Sequence, residues 1–370
     1  MRETMTLQGE YTFLPQEHIL FGAGSIQHLA DEVQKYKSTK ALLITGKTLA
    51  TKTDVIQRVM QALGTTPAEV FHEIGEHAPM AAIKRATELA REKHIDLLIS
   101  VGGGSPIDAT KVIAHSLYSL DEEHRQFLPH IAIPTTLSAA EFSQDAGYTD
   151  EAQQRKKGVS DPGLIPRSVI LDAELTLATP LRLWISSGIR SLDHAVEALY
   201  APGIHPINDV LALEAIRKLF AYLPRSQAHP EDVEIRTELQ LAEWMSFFGS
   251  RNTPMGLSHN LGRSMGATYH VAHGITSCIT LPVVMKAMVE SHAAQLSRIA
   301  QVLQLPGDDQ ATQAIHAAMA VDNLIARLGL PRHLHEVGIG PDDLHSIAIY
   351  AVGGKGEKAE FAEKVLQQML

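Results

Sequence analysis

One cysteine in 370 residues, Cys278, excludes an intrachain disulfide and any zinc site built from cysteine pairs. It stands inside the apolar stretch from Ile275 to Val284, where a buried, inert thiol is expected rather than a nucleophile. No apolar run approaches the roughly 20 residues that a bilayer span requires. The N-terminal residues Met1 to Glu10 also lack the apolar core of a signal peptide, so a cytoplasmic protein with no membrane association is expected. Positive charge is not in excess. The formal net charge of −10 disfavours nonspecific binding to nucleic acid and attraction to anionic membranes. No internal repeat or low-complexity segment stands out.

What is present is an ordinary globular composition, 45% hydrophobic and 20% charged, in a chain too long for one ordinary core, so two domains are expected. The stretch that organises the first runs from Asp96 to Lys111. Leu97 to Val101 read as a strand buried on both faces, and Gly102, Gly103 and Gly104 then allow a sharp turn close to a ligand. Ser105 as N-cap, Pro106 in the first turn and Asp108 in capping-box spacing predict a helix immediately afterwards. Strand, glycine turn and helix start together form an anion cradle, because free backbone N–H groups and the helix dipole both face it. A phosphate is the expected occupant. The turn is neither G-x-G-x-x-G nor G-x-x-x-x-G-K-[ST], so it indicates a dinucleotide or phosphate ligand without naming one.

Around this centre the N-terminal region alternates. Tyr11 to Leu14 and His18 to Phe21 read as short strands about Pro15, a hairpin at a sheet edge, and Ser25 reads as the cap of a first helix. Ala41 to Thr45 and Glu69 to Ile74 read as strands, each followed by a helix, the second over Ala81 to Lys93, which predicts a parallel sheet with right-handed crossovers. His130 to Ile133 is a strand ending in Pro134, Thr135 and Thr136, whose hydroxyls are expected at the carboxyl edge beside the glycine turn. Gln144 to Lys157 reads as a β-ribbon or loop, and Ser168 to Asp172 as a returning strand. From Pro180 onward helices replace strands, at Trp184 to Leu199, Asn208 to Leu223, Val233 to Gly249 and His292 to Leu303. The expected organisation is an α/β dinucleotide-binding domain, Rossmann-like with a parallel sheet, over residues 1–178 and an all-α domain over 179–370.

Nineteen histidines occur, and three have ligand-like spacing on two helical segments. On the first, Ile189, Leu192, Val196 and Leu199 mark the buried stripe, while Arg190, His194 and Glu197 recur on another face. On the second, His259 and Arg263 share a face, and His273 stands just before Gly274, where a helix break is expected. His194, His259 and His273 could converge on a divalent metal or on a substrate carbonyl. Arg190 and Arg263, each at helical spacing from a histidine, are expected on the same side, with Glu197 or Asp193 as the nearest partners of Arg190 and an anionic substrate as a further counter-charge.

In the order and spacing of Gly102-Gly-Gly-Ser105, Pro134-Thr-Thr136, Asp161-Pro162, His194-Ala-Val-Glu197, His259 and His273-Gly274, the chain resembles the iron-containing alcohol dehydrogenase family. It is most similar to the maleylacetate reductase branch through Ile133 to Glu141 and Arg155 to Pro180, and the last seventy residues carry little of the resemblance. The resemblance implies dehydroquinate synthase-like architecture and hydride transfer between NAD or NADP and a small carbonyl or unsaturated acid. It assigns the pyrophosphate to Gly103, Gly104 and Ser105, beside Gly102 and Asp108, and the ribose and nicotinamide to Thr135, Thr136, Ser138 and Lys156. NAD-preferring members carry an acid after the second strand. Gly46 and Lys47 stand there instead, so NADP is expected to be tolerated. Metal-dependent members use an aspartate and three histidines; His194, His259 and His273 fill the histidine positions, but Arg190 replaces the aspartate and Arg263 a further histidine. A guanidinium cannot ligate a metal, so tightly held iron is not expected, while a three-histidine zinc site stays open. In its place Arg190 or Arg263 would polarise the carbonyl and a histidine would donate the proton. A metal-dependent alcohol or glycerol dehydrogenase, a lyase that uses NAD without consuming it, and a catalytically silent nucleotide-binding protein are the alternatives. A homodimer is expected, with a small anionic substrate and no nucleic-acid partner.

Overall fold

The computed structural model describes residues 8–121, 126–152, 155–203 and 205–370. Residues 1–7, part of the stretch read for a signal peptide, lie outside them. Eight strands occur among the described residues: β1 His18–Phe21, β2 Ala41–Ile44, β3 Ala68–Phe71, β4 Leu97–Gly102, β5 His130–Pro134, β6 Asp145–Asp150, β7 Arg155–Ser160 and β8 Ser168–Leu171. Six form one parallel sheet in the order β1-β8-β5-β4-β2-β3, and β6 and β7 form a separate antiparallel ribbon. The first helices are α1 Leu29–Lys35, α2 Lys47–Lys52, α3 Val55–Ala62, α4 Met80–Glu92, α5 Gly104–Leu120 and α6 Ala173–Thr176.

Alternation of side chains along the strands sends residues to two cores. Leu42, Ile44 and Leu98 pack with Ile83 and Ala86 of α4 and with Val112 and Ile113 of α5. Leu43, Ile99 and Ile133 pack on the opposite face with Leu29 and Val33 of α1 and Val55 and Val59 of α3. Burial on both faces is what the continuous apolar runs of β2, β4 and β5 dictate, at about 2–3 kcal/mol for each large aliphatic side chain removed from water. The connection from β2 leads outward to β3, whereas that from β4 leads to the other side, to β5, so the winding reverses between β2 and β4. In open parallel sheets the crevice at the carboxyl ends of such a pair is the ligand site.

The expected hairpin at the N-terminus does not form. Tyr11 to Leu14 is not a strand, and β1 alone joins the sheet, parallel to β8. Tyr11 instead packs with Phe13 and Phe248 and donates its hydroxyl to Asn208 Oδ1 at 2.9 Å, contacts that an edge strand would forgo.

Two compact units partition the chain: Leu14–Trp184 with His229–Leu241, and Ile185–Ala228 with Ala242–Leu370 and the chain up to Phe13. The division is not a single cut because Arg236, 2% exposed, belongs to the α/β unit: its guanidinium lies 4.6 Å from the Trp184 ring and donates to the carbonyls of Thr176 and Pro230 at 2.8 Å each.

The later helices are α7 Leu181–Tyr200, α8 Pro206–Ala228, α9 Val233–Ser246, α10 Leu257–Thr268, α11 His273–Ala287, α12 Val289–Val302, α13 Gln310–Arg327, α14 Leu344–Val352 and α15 Glu357–Gln367. Every residue of α7 from Trp184 to Tyr200 is buried. Close approach to it requires glycine: a Cβ on Gly274 would stand 2.5 Å from the Ser186 carbonyl oxygen, and one on Gly262 would stand 2.7 Å from Thr276 Oγ1 between α10 and α11. The Ser186 contact is to backbone and cannot rotate away. Gly274→Ala is therefore expected to lower stability by about 1–3 kcal/mol, as overpacking does; urea unfolding reads this directly, and an unchanged midpoint would contradict it.

Candidate active site

The α/β unit builds the cradle from the strand upward. β4 ends at Gly102, whose φ of +137° favours glycine, and α5 begins at Gly104 with Gly103 as its N-cap. Ser105 is thus not the cap. With no side chain to accommodate, the turn closes earlier than a serine cap would allow, and Ser105 lies within the first helical turn, its Oγ accepting from the His77 amide at 3.1 Å. Asp108 does not complete a capping box either. It is half-buried, with Oδ2 accepting from the Gly147 amide at 3.2 Å, and desolvation pushes its carboxyl up to about 6 against the pull of Lys111 and Lys156.

The register Gly102↔Pro134 brings the next segment alongside. The Thr135 amide donates to the Gly102 carbonyl at 2.9 Å, a Cβ on Gly103 would lie 3.1 Å from Thr136 Cγ2, and one on Gly104 would lie 3.5 Å from Ser138 Oγ. Lys156 on β7 places Nζ 3.2 Å from His77 Nδ1. Gly102 through Ser105, Asp108, Thr135, Thr136, Ser138 and Lys156 are therefore gathered in one place. Gly46 and Lys47 lie at the carboxyl end of β2, Gly46 as N-cap of α2 and Lys47 exposed on its first turn. Two residues were not foreseen. Lys111 is fully buried and donates to the carbonyls of Ala140 and Asp145 at 2.6 and 2.8 Å, tying α5 to the chain after β5; its signal was a charge amid Ala109, Thr110, Val112 and Ile113. His77, in a left-handed conformation at φ +60°, had none.

In the helical unit α7 carries the buried ionisable groups Arg190, Asp193, His194, Glu197 and Tyr200. Arg190 pairs with Asp193, Nη1 to Oδ2 at 3.3 Å, and donates to Ser277 Oγ at 3.1 Å, while Ser277 donates to the same Asp193 oxygen at 2.7 Å. Its Nη2 lies 2.5 Å from Nδ1 and 3.0 Å from Nε2 of His259. Glu197 is not part of this pairing. Its carboxyl group caps α10, accepting from the Gly256 amide at 2.7 Å and the Ser258 amide at 2.8 Å, and Gly256 is needed because a Cβ there would meet Glu197 at 2.6 Å. An expected substrate counter-charge for Arg190 is thus already supplied from within the chain.

His194 stacks on Phe247 at 4.2 Å and lies 5.8 Å from His259, ring centre to ring centre. Burial, then the Arg190 charge, hold both imidazoles well below the usual histidine range, with His273 adding to each. Both are neutral at pH 7. His273 is half-buried and begins α11 rather than ending a helix, since the break falls over Tyr269 to Ala272. Arg263, expected on the same side as the histidines, is exposed on α10, whereas Arg190 is buried. Among the described residues no three His, Cys, Asp or Glu side chains are grouped as a metal site.

Burial and the neighbouring Asp193 push Glu197 up to about 8, from an ordinary 4.5. The folded chain then holds a proton that the unfolded chain has lost between those values, so this group lowers stability as pH rises through that window. Glu197→Gln is expected to flatten the decline between pH 5.5 and 8 in denaturant titrations, at a cost of about 1–3 kcal/mol for the impaired cap. Identical slopes in both proteins would contradict this.

Comparison with known proteins shows the family. The profile of "Iron-containing alcohol dehydrogenase" matches residues 15–173, and that of "Fe-containing alcohol dehydrogenase family, C-terminal" matches 184–370, so the likeness extends through the last seventy residues, where the sequence motifs are too sparse to carry it. A maleylacetate reductase of Rhizobium sp. is 30% identical over 338 residues, 91% of this chain and 89% of that protein. A lactaldehyde reductase of Escherichia coli is 30% identical over 345 residues, 89% of each chain. The crystal structure of maleylacetate reductase from Agrobacterium tumefaciens superposes with a TM-score of 0.84 at 27% identity, over 99% of both chains. The chain belongs to the iron-containing alcohol dehydrogenase family of oxidoreductases.

Proposed function

We propose that this oxidoreductase reduces a small carbonyl or unsaturated acid with NADPH or NADH, and that it does so without a resident metal. The observation that carries the reading is the Arg190 guanidinium seated against the ring nitrogens of His259. A ring nitrogen that accepts from a guanidinium cannot offer the same lone pair to a cation. A unit charge also repels a dication by about 8 kcal/mol at 4 Å and an effective dielectric near 20. The residues at this position therefore do not fit a tightly held iron or zinc. Recurrent relatives named maleylacetate reductase support an acidic substrate.

On this reading the α/β unit holds the dinucleotide and the helical unit holds the substrate. The helix start at Gly104 and Ser105 would bind the pyrophosphate, with Thr136, Ser138 and Lys156 orienting the rest of the cofactor. A bound reduced nicotinamide supplies the hydride. His259 accepts from Arg190 and is held neutral with its one hydrogen on the other ring nitrogen, and the adjacent guanidinium charge would strengthen that N–H as a donor once the ring turns it to the substrate oxygen. Arg190 is then a positioning residue, acting through His259. His194 and His273 are the further candidates for delivering the proton.

Turnover of NADPH with oxo acids is expected to persist in EDTA. Chelator-sensitive activity restored by iron or zinc would overturn the metal-free reading. Gly46 needs no special conformation, at φ −93°, and a Cβ there would sit 3.4 Å from the Ile74 carbonyl, so Gly46→Asp can fold. It is expected to move cofactor preference toward NADH by about tenfold or more, by repelling a 2′-phosphate. A wild type that already rejects NADPH would contradict this part.

A further inference from the structure

We propose that Arg263 and the cavity beside it form the subsite for a carboxylate of the substrate remote from its reacting carbon, a deepening that rests on the function proposed above. The helical unit has two arginines at helical spacing from its histidines, and their situations are opposite. Arg190 is buried and committed to Asp193, Ser277 and His259. Arg263 is exposed and has no hydrogen bond or ion pair among the described residues. It lines a cavity of about 300 Å³ with Asn260, Tyr350, Ala351, Val352 and Gly353.

The chemistry of that lining suits one carboxylate on a short carbon chain. A guanidinium offers two parallel N–H groups that match a carboxylate in bidentate geometry, the Asn260 amide and Tyr350 hydroxyl add donors, and Ala351 and Val352 cover methylene groups. The volume holds a small organic acid rather than a second nucleotide. Arg263 stands one helical turn beyond His259 on the same face of α10, and its charge reaches that imidazole. One turn is about 5.4 Å of helix axis, so an acid anchored at Arg263 presents a carbon several bonds from its carboxylate to His259. The preferred substrates are then oxo or unsaturated acids with a distal carboxylate, and not their esters or neutral aldehydes.

The test pairs kinetics with binding. Wild type, Arg263→Gln and Arg263→Lys are compared on an oxo acid and on its methyl ester, and glutarate binding is measured by calorimetry on the same proteins. Arg263→Gln is expected to raise KM for the acid about tenfold or more relative to KM for the ester, with a larger effect on KM than on kcat, and to weaken glutarate to the same degree, while Arg263→Lys recovers part of both. Equal KM values and equal glutarate affinity in folded Arg263→Gln and wild type would overturn the subsite. A wild type that turns over no carbonyl compound, yet loses glutarate on Arg263→Gln, would sink the function and support the subsite.

Discussion

The Arg190 guanidinium is an arginine enclosed on the most buried helix of the unit, and that is tolerable only because Asp193 and Ser277 meet it. Removing a charge from water costs several kcal/mol, and an unpaired buried guanidinium would be among the most destabilising features a helix could carry. Pairing offsets this only if the partners hold their positions, so the helices that bring Ser277 and His259 to α7 are constrained as well. Gly256, Gly262 and Gly274 serve that constraint by letting backbones and caps approach where any side chain would collide. Glu197, one helical turn beyond Asp193, fixes the start of α10 and with it His259. The ion pair, the cap and the glycines form one arrangement.

The α/β unit solves a parallel problem. A cradle of free N–H groups needs its surrounding loops held without filling the space they enclose. Lys111 does this from below, with its ammonium satisfied by two carbonyls of the chain after β5. Asp108 does it from the side, binding the ribbon through Gly147. Lys111 is buried and Asp108 half-buried, and each offsets part of the other's desolvation, which is why the carboxyl rises only to about 6.

Much of this was legible in the sequence where the signal was periodic or compositional. The apolar runs Leu97 to Val101 and Ile131 to Ile133 could only be strands covered on both faces, and the change from short strands to long helices after Pro180 separated the two kinds of architecture. The order of Gly102 to Ser105, Pro134 to Thr136, His194 and His259 carried the family. What stayed hidden depended on contacts between distant segments. That Arg190 chooses Asp193 and not Glu197 follows from Ser277, which no spacing links to α7. Arg263, like Arg190, stands four residues from a histidine, yet it is exposed where Arg190 is buried, a difference that spacing alone does not carry. The Ser105 cap failed for a local reason: three consecutive glycines let the helix start before the residue best suited to begin it.

The claim on which the proposed chemistry turns is that Arg190, seated against the ring nitrogens of His259, takes the place a cation would need there. Calorimetric titration with Zn²⁺ of the purified wild type and of Arg190→Asp tests it most directly. No saturable one-to-one binding to the wild type, with such a site gained in Arg190→Asp, is the expected result. Tight one-to-one binding of Zn²⁺ to the wild type, competing with the Arg190–His259 contact, would contradict it.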